Sequence, residues 1–235
     1  MTQGPVEALR AVRRKGELKT DPAQDLAAEK LQSLHHALQG YRAQAGKRGW
    51  KARFGLGRGQ GMPPLGLYIA GPVGRGKSML LDMFFESAPV EQKRRVHFHA
   101  FMQEVHGRAH ALRQTGSGED PVAAIARQIV AEATLLCFDE FQVDNIADAM
   151  ILGRLFQQLF DLGVVVVATS NTPPDELYKD GLQRELFLPF IALIKDRLDL
   201  LELDGGIDHR IQRLRGRRVY HVPADAAAAR ALDQA

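Results

Sequence analysis

Short apolar runs alternate with amphipathic stretches from residue 65 onward. We predict strands from the apolar runs, at 65–71, 94–101, 134–140, 164–170 and 198–203. We predict helices from the intervening stretches, at 78–87, 102–114, 122–130, 145–160 and 174–195. Short apolar strands separated by helices are typical of an α/β fold, in which a parallel sheet is covered by helices on both faces.

The residues before this alternation have a different pattern. Leucines at helical spacing predict a helix over 25–39, with Asp21 and Pro22 as its start signal. Closely spaced glycines predict a loop over 40–64, which we interpret as a linker. The sequence thus predicts three segments: an N-terminal helical segment with its linker (1–64), an α/β core (65–204), and a basic strand-turn with an alanine-rich tail (205–235).

The composition is that of a globular protein. Of the 235 residues, 45% are hydrophobic and 25% charged, and the formal net charge is +3, which lacks the basic excess of a dedicated nucleic-acid binder. No apolar run reaches the roughly 18 residues of a membrane span, so we expect no transmembrane segment and a cytoplasmic protein.

The single cysteine, Cys137, cannot form an intrachain disulfide. Its apolar surroundings favour an inert buried thiol over a nucleophile.

The basic residues are unevenly placed. No Asp or Glu occurs between Tyr41 and Leu81, whereas arginines and lysines are frequent there. The resulting positive field would attract a polyanion such as a nucleotide, although a solvated basic loop explains part of the same pattern.

The stretch "GPVGRGKS" lies between a predicted strand and a predicted helix. It matches G-x-x-x-x-G-K-[ST], in which glycines let backbone N–H groups surround phosphates at a helix N-terminus. We expect Lys77 to reach the β- and γ-phosphates of a nucleotide and Ser78 to ligate Mg²⁺. The residues predicted to bind the nucleotide are Gly71, Pro72, Val73, Gly74, Arg75, Gly76, Lys77 and Ser78.

A carboxylate pair follows the apolar run in "LLCFDE". The carboxyl edge of an open α/β sheet is where ligands bind, so Asp139 is predicted to hold the Mg²⁺ hydration shell. Glu140 is predicted to polarise the water that attacks the γ-phosphate, unless it is only a solvent-facing charge. A switch that merely binds nucleotide would need Asp139 and not Glu140.

The run "VVVVATSN" ends in polar residues at the tip of the next strand. Asn171 at this position would hydrogen-bond the attacking water or the γ-phosphate, an arrangement that marks the AAA+ class of phosphate-loop NTPases. Alternatively, Asn171 forms a turn before Pro173 and Pro174.

With these motifs in place, the chain resembles a known family. The blocks "GLYIAGPVGRGKSMLLDMFF", "RVHFHAFMQEVH" and "LLCFDEFQVDNIADAMILGRLF" are similar to the ZapE cell-division ATPases and their mitochondrial AFG1-type relatives, from about residue 16 to 213. The resemblance implies an AAA+ core with strand order 5-1-4-3-2, ATP hydrolysis, and association in bacteria with the division ring protein FtsZ. The mitochondrial branch is linked to protein turnover.

Family members continue with a helical lid that carries a further arginine. This sequence stops at residue 235, so we expect the lid to be largely absent and residues 205–235 to be its truncated start.

The resemblance also implies ring-like homo-oligomers in which an arginine works in trans. Arg184, in "DGLQRELFLPF", is predicted to reach the γ-phosphate of a neighbouring subunit. Arg197 is a nearby competitor for this role, and an ion pair with Glu185 or Asp180 is the alternative role for Arg184.

Three weaker patterns remain open. The alternation places His97 and His99 on one strand face with His106 nearby, which suits either a metal site or a polar network. The arginines of 208–221 form either a nucleic-acid strip or, since aromatic residues are scarce, a strand-turn or subunit contact. Gln24 either reads the adenine edge or belongs to the helix start signal at Asp21.

The sequence therefore favours an AAA+ ATPase that uses ATP and Mg²⁺ to remodel a protein partner, without nucleic acid. A nucleic-acid-dependent ATPase of the helicase-loader type and a binding-only nucleotide switch are the alternatives from other classes.

Overall fold

The computed structural model of the protein describes residues 4–43, 63–114 and 118–203. Most of the glycine-rich loop predicted at 40–64, and the basic strand-turn, tail and lid start predicted over 205–235, lie outside these residues.

Five parallel strands form one sheet in the order β2-β3-β4-β1-β5. Their bounds are β1 Gly66–Ala70, β2 Lys93–His97, β3 Leu135–Asp139, β4 Val165–Ser170 and β5 Leu198–Glu202. Read from the opposite edge, this is the predicted order 5-1-4-3-2, so the expected AAA+ arrangement of strands is confirmed.

Helices cover both faces of the sheet. Their bounds are α1 Pro5–Arg14, α2 Pro22–Ala37, α3 Lys77–Ser87, α4 Phe98–Gln114, α5 Pro121–Glu132, α6 Ile146–Asp161 and α7 Leu188–Arg197. Polar side chains satisfy N–H groups at three of the helix starts. Asp21 accepts from Ala23 N at 2.9 Å, Asp120 accepts from Val122 N at 3.2 Å, and Asn145 Oδ1 accepts from Asp148 N at 2.8 Å.

The period of two along each strand assigns its side chains to two cores. On one face, Leu67 and Ile69 of β1 pack with helices α1, α2 and α3. On the other face, Tyr68 of β1 and Phe138 of β3 pack with helices α4 to α7. Because the central strands β1, β3 and β4 are buried on both faces, they read as nearly continuous apolar runs, whereas the edge strand β2 has the sequence KRRVH.

Aromatic rings fill the second core next to the carboxyl edge of the sheet. The centroid of Phe141 lies 4.0 Å from that of Phe98 and 6.2 Å from that of Phe190, and Tyr68 meets Phe141 edge-on at 6.0 Å. Phe141 follows Asp139 and Glu140 directly, so its burial anchors the chain immediately after the carboxylate pair.

The structure corrects two of the predicted elements. Strand β2 ends at His97 and α4 begins at Phe98, so the strand predicted over 94–101 is too long. Phe98, Phe101 and Val105 are all buried, and their spacing is helical.

The helix predicted over 174–195 is wrong in its first half. Two 3₁₀ turns, Pro174–Glu176 and Arg184–Leu186, lie in this segment, and between them Tyr178, Asp180 and Gln183 have φ between +53° and +61°. Helix α7 begins at Leu188, since Pro189 lacks an N–H and fits only the first turn of a helix. Helix α1 was not predicted from the sequence.

No helix in the described ranges is long and apolar enough to cross a bilayer.

Helix α2 should stabilise the fold through its buried leucines. Leu31 is fully buried there, so Leu31→Ala is expected to lower the free energy of unfolding by about 2–5 kcal/mol. Glu29→Ala, at an exposed position of the same helix, should change it by less than about 0.5 kcal/mol. Urea denaturation measures both, and equal values for the two variants would show that α2 does not unfold with the core.

Candidate active site

The loop from Gly71 to Ser78 connects β1 to α3. Gly74 and Gly76 both have φ +82°, a region that side chains with a Cβ avoid. A Cβ on Gly76 would also lie 2.9 Å from Nε2 of Gln24. The loop places Val73 and Ser78 at the surface, with α3 starting at Lys77. This is the conformation that the motif requires, with exposed backbone at a helix N-terminus.

Lys77 connects the loop to the neighbouring strand. Its side chain is buried, and Nζ donates to Gly71 O at 2.5 Å, Pro72 O at 2.8 Å and Asn171 Oδ1 at 3.0 Å. Asn171 directly follows β4, which pairs with β1. The structure thus brings together a lysine and an asparagine that lie 94 positions apart in the sequence.

The side chain of Arg75 contacts residues outside the loop. Its Nη2 forms an ion pair with Asp21 at 3.2 Å, and its Nε donates to Leu203 O at 2.9 Å. Gln24 donates from Nε2 to Arg75 O at 3.1 Å, and its Oε1 is buried without a partner in the described part of the chain. The Arg75 side chain thus contacts Asp21 and Leu203, and the start of α2 supports the loop from behind. Adenine recognition by Gln24 stays a prediction.

Asp139 ends β3 beside the loop and is bound by an arginine of β2. Nε of Arg95 donates to Asp139 Oδ2 at 2.6 Å, and Nη2 donates to Oδ1 at 3.2 Å. The third nitrogen of the guanidinium, Nη1, forms an ion pair with Asp82 of α3. The Asp139 side chain is only 7% exposed, so this bidentate contact is its main charge compensation in the described structure.

Glu140 has an unusual backbone conformation for a residue with a side chain, with φ +52°. Its N–H donates to Thr169 Oγ1 at 3.3 Å, and the next N–H, that of Phe141, donates to Thr169 O at 2.7 Å. The side chain of Glu140 is exposed. Hydrogen bonds from the tip of β4 therefore hold the strained residue that presents this carboxylate to solvent.

Ser170 and Tyr68 hold the segment that carries Asn171. Ser170 is 1% exposed; its hydroxyl donates to Phe141 O at 2.7 Å and accepts from Thr172 N at 3.2 Å. The Tyr68 hydroxyl, whose pKa is raised by burial, donates to Thr172 O at 3.0 Å. These contacts join the ends of β3 and β4, and thereby fix Glu140 relative to Asn171.

A cleft of about 420 Å³ opens beside this junction. Glu140 and Asn171 line it together with residues 141–144, 170, 172 and 176–181. The predicted water-activating residues thus line one cavity.

Arg184 starts the second 3₁₀ turn and is partly exposed. Its Nη2 donates to Asp175 O at 2.6 Å, and neither Glu185 nor Asp180 pairs with it among the described contacts. Arg197 forms an ion pair with Asp161 and lies over the Phe160 ring. Neither arginine contacts the loop of its own chain in the described structure, and the trans role stays a prediction.

His97 and His99 do not share a strand face. His97 ends β2, whereas His99 lies in α4 beside Gln103, and His106 contacts Asp148 Oδ1 at 2.6 Å. The prediction of a shared strand face is therefore wrong, because the strand ends before His99. No cluster of three or more metal-ligating side chains occurs within the described ranges. Cys137 is fully buried and burial raises the pKa of its thiol, as expected for an inert side chain.

The chain is similar to a family of known proteins. Residues 3–235 match the family model described as AFG1-like ATPase. The chain belongs to the AFG1-like ATPase family. It is 52% identical over 153 residues to cell division protein ZapE of Escherichia coli K12, covering 65% of this chain and 40% of ZapE. It is 47% identical over 180 residues to lactation elevated protein 1 homolog B of Danio rerio, covering 73% of this chain and 36% of that protein.

The chain therefore spans well under half the length of these relatives. Among solved structures, AMPPCP-bound DnaA from Aquifex aeolicus is similar with a TM-score of 0.51 and 14% identity, over 88% of this chain and 56% of that one. A likeness at this identity shows the fold alone, which is the phosphate-loop AAA+ arrangement.

Two residues with contacts at the candidate site, Arg95 and Tyr68, were not predicted from the sequence. In the sequence, Arg95 is one of several basic residues of β2. Only the pairing of β2 with β3, in which Arg95 is opposite Cys137, shows that its side chain lies on the same sheet face as Asp139. Tyr68 reads as part of an apolar strand, and nothing in the sequence indicates that its hydroxyl reaches Thr172.

The Ser170 hydroxyl should matter for turnover more than for nucleotide affinity. Ser170→Ala leaves Phe141 O and Thr172 N without this partner, so Glu140 and Asn171 lose their fixed relation. We expect the kcat of ATP hydrolysis to fall at least about tenfold while the Kd for ATP changes less than about twofold.

The matched control is Ser87→Ala, which removes a similarly buried hydroxyl from the far end of α3, where it donates to Met83 O and Phe84 O. Steady-state kinetics and nucleotide titration are run on both variants. An equal loss of kcat in the two would show that Ser170 acts only through stability.

Proposed function

We propose that the chain binds ATP with Mg²⁺ at the loop of residues 71–78 and hydrolyses it. The observation that carries this proposal is the 3.0 Å contact between Lys77 Nζ and Asn171 Oδ1. It joins the phosphate-binding lysine to the tip of β4, beside the carboxylates that end β3. Membership of the AFG1-like ATPase family supports the same activity.

The loop and Lys77 would bind the phosphates. Backbone N–H groups at the start of α3 are favourable for anions, and Lys77 is a mobile cation that can exchange its carbonyl partners for phosphate oxygens.

Mg²⁺ suits the oxygens that lie next to this loop. The exposed Ser78 hydroxyl and the Asp139 carboxylate are hard ligands, and Mg²⁺ in such sites is held by few protein oxygens together with the phosphates. When bound, the ion neutralises charge on the β- and γ-phosphates. Ser78 and Asp139 are the residues that would hold it.

Glu140 and Asn171 would act on the water. An exposed carboxylate held beside the cleft can accept a proton from a water molecule, and the Asn171 amide can orient that water or the γ-phosphate. The exchange of Lys77 from Asn171 to phosphate would free the amide for this contact.

Lys77→Ala and Glu140→Gln should affect different steps. We expect Lys77→Ala to raise the Kd for ATP at least about tenfold, because it removes the charged phosphate contact. Glu140→Gln should keep ATP affinity within about twofold and lower kcat at least about 100-fold, because it removes the base.

Equilibrium binding of a fluorescent ATP analogue and phosphate release measure the two effects. Glu176→Gln is the matched control, since Glu176 is an exposed glutamate that lines the same cleft. Comparable loss of affinity in Lys77→Ala and Glu140→Gln would contradict the separate role of Glu140.

The biological role of ATP hydrolysis by this protein is a separate proposal. We infer that the protein acts in the cytoplasm as a ring-like homo-oligomer that remodels a protein partner, and that the partner in a bacterium is the division ring protein FtsZ. The supporting observation is the identity of 52% to a cell division protein. In such a ring, Arg184 would supply a guanidinium to the γ-phosphate bound by the neighbouring subunit.

A mixing experiment tests the role of Arg184. Arg184→Ala and Lys77→Ala should each be inactive alone, and mixing them should restore part of the ATPase activity. Some interfaces of a mixed ring combine an intact loop on one subunit with an intact Arg184 on the next.

Mixing Lys77→Ala with Glu140→Gln provides the control. Both of these changes disable a subunit's own site, so no interface in that mixture is complete and activity should stay absent. Failure of the first mixture to recover, with co-assembly confirmed by sedimentation, would remove Arg184 from the site.

A further inference from the structure

Arg95 joins carboxylates from two different elements beside the phosphate loop. Nε and Nη2 donate to both oxygens of Asp139, at 2.6 and 3.2 Å, and Nη1 forms an ion pair with Asp82. Asp82 lies four residues after Ser78 on α3, and residues at this spacing share a helix face. The Arg95 guanidinium therefore lies between the carboxylates of Asp82 and Asp139, and Asp139 is the proposed Mg²⁺ ligand.

The backbone fixes this position. Arg95 is opposite Cys137 in the parallel pairing of β2 with β3, and Asp139 lies two residues further on the same face. The side chains of Arg95 and Asp139 are 24% and 7% exposed, so their interaction is only partly screened by water. A planar fork of donors holds the carboxylate in one orientation.

Without Arg95, this corner of the site would have the composition of a divalent-cation site. It would contain the carboxylates of Asp82 and Asp139 and, one helical turn before Asp82, the hydroxyl of Ser78, all hard oxygen ligands. Arg95 offsets one of the two negative charges, and its own positive charge repels a cation that approaches Asp139. A metal ion that binds together with a polyphosphate is accompanied by enough negative charge to offset this repulsion. A metal ion that binds alone has no such compensation.

We propose that Arg95 is a positioning residue that prevents Asp139 from binding a divalent cation alone, so that Mg²⁺ is accepted there only together with nucleotide phosphates. This inference rests on the proposed function of Asp139 as the metal carboxylate. It gives Arg95 a role in the order of binding rather than in the chemical step.

The test is titration with Mn²⁺ in the absence of nucleotide, with free Mn²⁺ measured by electron paramagnetic resonance. The wild-type protein should show no stoichiometric site. Arg95→Gln should gain one site per chain that binds at least about tenfold more tightly than any site of the wild type, because a local positive charge has been removed. Adding Asp139→Asn to Arg95→Gln should abolish the gained site.

Two further variants separate the role of Arg95 from general charge effects. Arg94→Gln removes the same charge from the neighbouring position, where the arginine pairs with Glu104 and Glu132 instead, and should not gain a site. Arg95→Lys keeps the charge and should bind Mn²⁺ as weakly as the wild type. Thermal unfolding of each variant shows that it is folded.

Two results would overturn the proposal. One is a stoichiometric Mn²⁺ site in the wild-type protein without nucleotide, a measurement that does not depend on the stability of any variant. The other is a folded Arg95→Gln protein that binds Mn²⁺ no better than the wild type.

The proposed function is judged separately, by ATP hydrolysis of the wild type. Absence of hydrolysis together with the expected Mn²⁺ results would reject the function and keep the role of Arg95. ATP hydrolysis by the wild type, together with Mn²⁺ binding by Arg95→Gln that does not differ from the wild type, would keep the proposed function and reject the role of Arg95.

Discussion

The pairing of β4 between β1 and β3 is the constraint on which the whole site depends. It is set by backbone hydrogen bonds on both sides of one buried strand, with Val167 opposite Leu67 on one side and Cys137 on the other. Because parallel strands end at the same edge, this pairing brings three loops together. The loop after β1 carries Lys77, and the residues that follow β3 and β4 carry Glu140 and Asn171.

The two buried charged groups of the site, Lys77 and Asp139, have defined partners in the described structure. Lys77 contacts two carbonyl oxygens and Asn171, and Asp139 contacts Arg95. A buried charge without a partner is strongly unfavourable, so these contacts stabilise the site as a folded unit. In the proposed function, phosphate binding would be an exchange of partners, in which Lys77 gives up the carbonyl oxygens of Gly71 and Pro72 for phosphate oxygens. Affinity is then a difference between two sets of contacts.

The sequence predicted the layers of the fold well and its irregular segments poorly. Strands buried on both faces are nearly pure apolar runs, and this signal is local and strong. The segment of 174–187 was predicted as part of a helix, yet it has 3₁₀ turns only at Pro174–Glu176 and Arg184–Leu186. Three residues between these turns have positive φ values, which a right-handed helix excludes. The length of β2 was decided by tertiary contacts, since Phe98 packs against Phe138 and Phe141.

The sequence by itself determined the phosphate loop, the carboxylate pair and the parallel sheet, because each is specified by consecutive residues or by a short period. Only the tertiary structure decided which groups act on one another at the site. The contacts of Arg95 with Asp139, of Ser170 with Phe141 and of Tyr68 with Thr172 join residues that lie 29 or more positions apart. They depend on strand register and on which face each side chain occupies, and neither quantity is encoded in the residues near the contact.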